Sequence, residues 1–168
     1  MNIEVRRVDY LDERQARDLG HLLNCYALDP MGGGMPLSPP VQQNLAGELA
    51  RLPHAFSFIC YVDGEPAGLV NCFEAFSTFS CKPLINIHDI AVLADFRGLG
   101  LSQLILTEVE KIALEKGCCK ITLEVLEGNI AAKNAYQKFG FDAYELDPSL
   151  GKAMFWQKPI CSGGPGDG

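Results

Sequence analysis

Apolar and polar positions alternate along the chain in two periods, one typical of helices and one typical of strands. Apolar residues recur at helical spacing in Asp12–Leu28 and Val41–Leu52, and most clearly in Leu101–Lys116, which ends at Gly117. Shorter runs rich in aromatic and β-branched residues predict strands. These predicted strands are Ile3–Val8, Phe56–Val62, Ala67–Phe79, Leu84–Val92, Ile121–Val125, Phe141–Leu146 and Ala153–Lys158.

The order of these segments predicts the fold class. A further short helix, with Asn129 as its N-cap and Gly140 at its end, falls before the last two strands. The resulting order, β-α-α-β-β-β-α-β-α-β-β, predicts an α/β protein built on a mixed sheet. Asp63-Gly64 predicts a hairpin turn between two apolar runs. One domain over residues 1–161 is expected, followed by a Gly-rich, disordered tail over residues 162–168.

The central strand, Leu84–Val92, changes phase along its length. Ile85 and Ile87 hold odd positions, whereas Ile90 and Val92 hold even positions. Because strand side chains alternate strictly, this slip predicts a β-bulge at His88-Asp89, and burial of both faces is the alternative. A bulge interrupts the ladder of hydrogen bonds and can leave backbone groups free for a ligand.

Composition narrows the class of function. The net charge of −7 argues against general nucleic-acid binding, which needs a basic face, and is compatible with a cationic small-molecule substrate. Seven cysteines without a C-x-x-C pair and three scattered histidines predict free thiols and no metal site. The N-terminal residues lack the apolar core of a signal peptide, and no run is long enough to span a bilayer. A cytoplasmic protein without a membrane partner is therefore expected.

The turn before the third helix carries the strongest chemical signal. Gly98 and Gly100 permit backbone angles that let successive N–H groups point into one concavity. The helix that begins there adds the positive end of its dipole, and Arg97 adds a cation. Together these features predict a seat for a pyrophosphate, with a purely structural turn as the alternative. The spacing matches neither the P-loop nor the Rossmann fingerprint.

Two motifs in this half of the chain point to one family. The first is Arg97–Ser102, which fits Arg/Gln-x-x-Gly-x-Gly/Ala except that Ser102 replaces the usual last residue. The second, Asn-x-x-Ala-x-x-x-Tyr followed by Gly-Phe, is present as Asn129, Ala132, Tyr136, Gly140 and Phe141. With both motifs, the sequence resembles the GCN5-related N-acetyltransferases. The resemblance covers Ile85–Phe141 well and Ile3–Lys158 more loosely.

The resemblance implies transfer of an acetyl group from acetyl-CoA to a primary amine, directly in a ternary complex. Main-chain groups of the strand before the turn would contact pantetheine and the acetyl carbonyl, and two asparagines would contact the pantetheine arm. Tyr136 would protonate the departing thiolate, with a core aromatic as the alternative. The cofactor contacts implied in this way are Ile90, Ala91, Val92, Arg97, Gly98, Leu99, Gly100, Leu101, Ser102, Asn129, Asn134 and Tyr136.

The general base is less sharply indicated by the resemblance. Asn86 holds the position where some family members carry a glutamate, and an amide cannot serve as a base. His88 matches a histidine of arylalkylamine-acetylating members, and Asp89 matches an acidic residue of diamine-acetylating members. Glu74, on the preceding strand, is a third candidate. Either carboxylate could instead anchor a cationic substrate, and a structural role is the alternative for His88.

The loop Met31–Met35 lies where the family places its acceptor-covering segment. Its three glycines predict mobility, while Tyr26 and Met31 offer apolar contact, and a flexible linker is the alternative. Tyr26, Met31 and Glu74 are therefore the predicted substrate-binding residues. A small-molecule amine is the expected partner. A protein or peptide acceptor and a catalytically silent CoA-binding module are the alternatives, and the family often forms homodimers.

Overall fold

The computed structural model describes residues 1–160 and has the order of elements of a mixed α/β protein. Its helices are α1 (Glu13–Leu28), α2 (Pro39–Ala50), α3 (Leu101–Glu115) and α4 (Ile130–Phe139). Its strands are β1 (Ile3–Arg7), β2 (Ala55–Val62), β3 (Glu65–Ser77), β4 (Lys82–Val92) and β5 (Ile121–Leu123). The predicted fold class is confirmed. The tail predicted over residues 162–168 lies outside the described residues.

One five-stranded sheet holds all these strands in the order β1-β2-β3-β4-β5. The first four are antiparallel to their neighbours, and β5 runs parallel to β4. Asp63 and Gly64 both have positive φ in the β2–β3 turn, which confirms the predicted hairpin. β5 pairs with β4 only from Ile85 to Ile87, so β4 runs on to Val92 beyond the end of that pairing.

The register between β3 and β4 slips by one residue in the middle of the sheet. Asn71 lies opposite Asp89, and Cys72 lies opposite Ile87, so His88 is the extra residue on β4. The predicted bulge is therefore confirmed. Because of it, the side chains of Ile87 and Asp89 lie on opposite faces of the sheet although they are two residues apart.

The two faces of the sheet pack against different helices. On one face, Leu19 and Leu22 of α1 form a buried cluster with Leu69 of β3. On the other face, a Cβ placed on Gly68 would lie 3.2 Å from the Cδ1 atom of Ile105 in α3. Since side chains alternate along a strand, odd positions of β3 face α1 and even positions face α3. Each fully buried leucine contributes about 1.5–3 kcal/mol to this packing.

The chain forms two compact units, Met1–Leu126 and Glu127–Gly168. The first holds α1–α3 and all five strands, and the second holds α4. The Asn129 side chain caps α4 by accepting a hydrogen bond from the backbone N–H of Ala132 at 3.2 Å, and Gly140 ends the helix with φ of 118°. The predicted cap and end of this helix are confirmed. The single domain expected from the sequence stays a prediction.

The structure does not form the two strands predicted at Phe141–Leu146 and Ala153–Lys158. A strand exists only through hydrogen bonds to a neighbouring strand, and an apolar alternation does not supply that neighbour. The side chains of these segments are largely exposed, and Trp156 is 80% exposed. The described chain therefore ends its regular structure with α4 and a short 3₁₀ turn, Pro148–Leu150.

Other sequence predictions concern membranes, metals and thiols. Across residues 1–160, no helix combines the length and apolar character that crossing a membrane requires. The same residues contain no group of three or more His, Cys, Asp or Glu side chains arranged to hold a metal. The six described cysteines are free, and two of them, Cys60 and Cys72, are buried.

Candidate functional site

The turn from Arg97 to Ser102 leads directly into α3. Gly98 has φ of 82° and Gly100 has φ of 74°, both in the left-handed region that favours glycine. A Cβ placed on either residue would meet no atom within 4 Å. The backbone angle, and not crowding by other parts of the chain, therefore requires glycine at both positions.

The first turn of α3 presents backbone N–H groups. Gly100 is the N-cap residue and has no side chain with which to cap the helix. The N–H groups of Gln103 and Leu104 donate to the carbonyl of Gly100, at 3.2 and 3.3 Å. Helix geometry leaves the N–H groups of Leu101 and Ser102 without an intrahelical acceptor. Together with the positive end of the helix dipole, these groups can bind an anion.

The last part of β4, from Asp89 to Val92, has β3 along one edge and extends past the pairing with β5 on the other. Backbone N–H and C=O groups on such an edge can bind an extended ligand in the way that a neighbouring strand would. The predicted contacts Ile90, Ala91 and Val92 all lie in this segment. The segment ends five residues before the turn that opens α3.

Arg97 forms an ion pair that the sequence did not indicate. Its Nη2 atom lies 3.1 Å from Oδ2 of Asp29, the residue that follows α1. The other carboxylate oxygen of Asp29 accepts a hydrogen bond from the N–H of Met31 at 2.9 Å. That backbone hydrogen bond lowers the pKa of Asp29, and Arg97 lowers it further against the opposing effect of burial. The ion pair thus joins the end of α1, next to the glycine loop Met31–Met35, to the turn before α3.

The glycine loop itself is folded back onto α1. The N–H of Met35 donates to the carbonyl of Ala27 at 3.1 Å. A Cβ placed on Gly32 would overlap the carbonyl oxygen of Tyr26, so only glycine allows this close approach. The glycines of this loop therefore allow a turn that its own backbone hydrogen bonds stabilise. Its predicted mobility and its cover of an acceptor stay predictions.

The bulge contains two predicted site residues, His88 and Asp89. The His88 ring lies edge-on to the ring of Phe73, with centroids 5.8 Å apart. Burial raises the pKa of Tyr26, and the negative charges of Asp89 and Asp29 raise it further. Tyr26 and these two carboxylates therefore belong to one electrostatic neighbourhood, which a cationic group would find favourable.

Glu74 is not part of this neighbourhood. It occupies an even position of β3, on the face toward α3, where its carboxylate pairs with the Nζ atom of Lys116 at 3.0 Å. Asp89 lies on the other face, because it is hydrogen-bonded to Asn71 at an odd position of β3, so the structure does not bring Glu74 to it. The predicted roles of Glu74 as base or substrate anchor therefore gain no support from its position.

The second unit holds the remaining predicted residues. Asn129 uses its side-chain oxygen to cap α4, and Asn134 is exposed on the same helix. The Tyr136 side chain is buried, with its ring edge-on to that of Phe141 at 6.1 Å between centroids. These contacts suit a packed aromatic residue and leave the predicted catalytic role of Tyr136 as a prediction.

Comparison with known proteins decides the family. Residues 21–141, more than half of the chain, match the model of the acetyltransferase (GNAT) family. This chain belongs to the GNAT family. The resemblance inferred from the two motifs is thereby confirmed, and the match includes the turn before α3 and the whole of α4.

Relatives of this GNAT chain include acetyltransferases whose names specify a small-molecule substrate. The thialysine N-epsilon-acetyltransferase of Mus musculus is 37% identical over 71 residues, which is 42% of this chain and 41% of that protein. The streptothricin acetyltransferase of Streptomyces lavendulae is 33% identical over 88 residues, which is 52% of this chain and 44% of that protein. The chain thus spans about two fifths of the length of these curated relatives.

A solved structure extends the GNAT comparison to the whole fold. The aminoglycoside N-acetyltransferase AAC(6')-Iy, in complex with CoA, matches with a TM-score of 0.72. The match covers 95% of this chain and 96% of that chain at 19% identity. At this identity the likeness shows a common fold.

Some polar residues that contact the candidate site residues were not predicted from the sequence. Ser57 and Asn71 stand inside the apolar strands β2 and β3, and both are buried. Asn71 donates a hydrogen bond to Asp89, and Asp29 pairs with Arg97. A polar residue in the middle of an apolar run is the sequence signal that could have identified Ser57 and Asn71, because a buried polar group needs a hydrogen-bond partner. No comparable pattern marked Asp29.

Proposed function

We propose that this GNAT protein is an acetyl-CoA-dependent N-acetyltransferase that transfers an acetyl group directly to the primary amine of a small molecule. The observation that supports it best is the uncapped start of α3 behind two left-handed glycines. This helix follows strand β4, whose last five residues extend past the pairing with β5. The N–H groups at the start of α3 can bind a diphosphate, and the backbone groups at the end of β4 can form hydrogen bonds with the amide groups of a pantetheine arm.

The residues of the first unit fit coenzyme A. The N–H groups of Leu101 and Ser102 would hold the diphosphate, with Arg97 as the nearby cation. Backbone groups between Ile90 and Val92 would hold the pantetheine arm. Bound acetyl-CoA supplies the acetyl group as a thioester. The protein then contributes chiefly by holding the two reactants together, since proximity alone can lower the barrier by about 7–11 kcal/mol.

Side chains of this protein must also accept and donate protons during the reaction. An ammonium has to lose a proton before it can attack, so we assign the base to His88 on the bulge, where the side chain is exposed. Asp89 is assigned to hold the cationic acceptor. Tyr136 is assigned to hold the proton that the departing sulfur takes up, as the family resemblance implies.

Two measurements test the proposed function. Calorimetry with acetyl-CoA should show binding, and thiol release over a panel of small amines should show turnover. Failure to take up acetyl-CoA would overturn the assignment. Uptake without thiol release from any amine or peptide would identify a silent binding module, whereas turnover with peptides alone would identify a protein acetyltransferase.

The role of Tyr136 has its own test. Tyr136→Phe should lower kcat by about 10²-fold or more, because a positioned acid contributes about 10²–10⁴-fold. The affinity for acetyl-CoA should change little, since the hydroxyl is proposed to act only during the reaction. Tyr144→Phe, which alters an exposed tyrosine of the same unit, is the matched control and should retain full turnover. An unchanged kcat in Tyr136→Phe would remove the acid role.

A further inference from the structure

A chain of three side-chain hydrogen bonds crosses the sheet and ends at Asp89. The hydroxyl of Tyr10 lies 2.8 Å from Oγ of Ser57 on β2. Ser57 Oγ donates to Oδ1 of Asn71 on β3 at 2.6 Å, and Asn71 Nδ2 donates to Oδ2 of Asp89 on β4 at 3.0 Å. The two middle members, Ser57 and Asn71, are only 1% and 3% exposed.

The chemistry of the groups fixes the direction of every bond. An ionised carboxylate only accepts, so Asp89 must receive the N–H of the Asn71 amide. The amide oxygen then faces Ser57, which must donate its single hydroxyl proton to it. Tyr10 is therefore the donor to Ser57. All three donors point toward Asp89, so neither the amide nor the hydroxyls can rotate without losing a bond.

The hydrogen-bond chain orients Asp89 and does not conduct protons. An amide holds its N–H protons too tightly to pass one along, so Asn71 interrupts any path between Asp89 and Tyr10. The packing of the sheet does not need polar groups here either, since the neighbouring core positions Ile59 and Leu69 are apolar and fully buried. The hydrogen-bond chain instead fixes the position of one carboxylate oxygen of Asp89.

Asp89 stands where a fixed carboxylate can act on a substrate. It follows the bulged residue and lies in the part of β4 that extends past the β5 pairing. Asn71 holds one oxygen, and among the described residues no second donor binds this carboxylate. Asn71 occupies an odd position of β3, which faces α1, so the Asp89 carboxylate that it holds lies on the same face of the sheet.

We propose that Ser57 and Asn71 are positioning residues that hold the Asp89 carboxylate in one orientation, from which it binds a non-reacting ammonium group of a cationic acceptor. This inference rests on the proposed acetyl transfer and deepens it, since it names a substrate class, a diamine or similar polycation. Tyr10 completes the chain by supplying the third hydrogen bond.

The test compares 1,4-diaminobutane with 4-amino-1-butanol, which has the same length but a single ammonium group. The wild-type protein should acetylate the diamine with a KM at least about tenfold lower than that for the amino alcohol, the size expected of one charge-assisted contact. Asp89→Asn should abolish this ratio. Ser57→Ala should reduce it several-fold by freeing the Asn71 amide, with kcat and acetyl-CoA affinity unchanged.

A double-mutant cycle separates positioning from mere structure. If Ser57 acts through Asp89, Ser57→Ala should have no further effect on the KM ratio in the Asp89→Asn background. Ser57→Thr, which keeps the hydroxyl, should restore the ratio, and Tyr10→Phe should lower it less than Ser57→Ala does. Ser77→Ala, at another buried serine of the sheet, is the control that should leave the ratio unchanged.

Failure of this proposal can be told apart from failure of the proposed function. No preference for the diamine, or no turnover of it, would overturn the role of Asp89 even if calorimetry still shows acetyl-CoA binding. Equal effects of Ser57→Ala with and without Asp89 would overturn the positioning role. The melting temperature of each variant shows whether a lower KM ratio reflects unfolding. If Ser57→Ala does not fold, Tyr10→Phe tests the same hydrogen-bond chain at a half-buried residue outside the sheet.

Discussion

Two glycine-rich loops of this molecule look alike in sequence and differ in what their backbones do. The loop Met31–Met35 and the turn Arg97–Ser102 each contain two glycines with positive φ. In the first, the N–H groups are used inside the loop, for example from Gly34 to the carbonyl of Asp29 at 3.1 Å. In the second, the glycines lead into a helix start that no side chain caps.

The difference shows that glycine content alone does not identify an anion site. What matters is whether the N–H groups that the glycines orient are already bonded within the chain. By this criterion the loop after α1 is a structural turn, and the turn before α3 is the one proposed to bind an anion. The Asp29–Arg97 ion pair connects the two.

The largest effect should come from Gly32→Ala. The added Cβ would overlap the Tyr26 carbonyl, so the backbone must move, at a cost of about 1–3 kcal/mol. Thermal or denaturant unfolding measures this loss. Gly47→Ala in α2 is the matched control, because a Cβ there meets nothing within 4 Å, and it should stabilise the protein by about 0.4–1 kcal/mol. Equal stability of the two variants would contradict the close packing at Gly32.

An intermediate effect is expected from Gly100→Ala compared with Gly33→Ala. Both glycines have positive φ and open space around the Cβ position, so each substitution should cost about 1–2 kcal/mol of stability. Only Gly100→Ala should also weaken acetyl-CoA binding in calorimetry, because only that turn orients N–H groups outward. If Gly33→Ala weakened cofactor binding as much, the distinction between the two loops would be lost.

The smallest effect should come from breaking the ion pair between the loops. Asp29→Asn keeps the acceptor for the Met31 N–H and removes the charge, so the loss at neutral pH should stay below about 1 kcal/mol for this partly exposed pair. The pKa of Asp29 is lowered from 3.8 in the folded protein, so its stabilising effect is present above that pH and is lost as the pH falls through the folded pKa.

The difference in melting temperature between wild type and Asp29→Asn should therefore shrink as the pH drops below about 4. Arg97→Gln is the complementary variant, which removes the same ion pair from the other side. It should weaken acetyl-CoA binding, in a salt-dependent way, whereas Asp29→Asn should not. A pH-independent difference would mean that the charge of Asp29 contributes nothing to folding.

Most of the fold could be predicted because periodicity and turn chemistry agreed with one another. The clearest case is the bulge at His88, where a change of parity among four apolar residues located the slip in register. The strands predicted at Phe141–Leu146 and Ala153–Lys158 failed because pairing is a non-local property that one segment does not encode.

The site was predicted less completely, for a related reason. The turn at Gly98 and Gly100 is local, so its backbone angles could be read from neighbouring residues. The hydrogen-bond chain from Tyr10 to Asp89 joins residues 14 to 47 positions apart, and the sheet register that aligns them is set by the whole domain. Which face Glu74 occupies follows from that same register.

The brevity of β5 has a consequence for anyone who tries to stabilise this protein. A sequence change that prolonged the β5 ladder past Leu123 would occupy the same main-chain donors and acceptors of β4 that are proposed to bind the cofactor. Such a variant would melt at a higher temperature and bind less well. Stability and the proposed cofactor binding would therefore compete for the same main-chain atoms of β4.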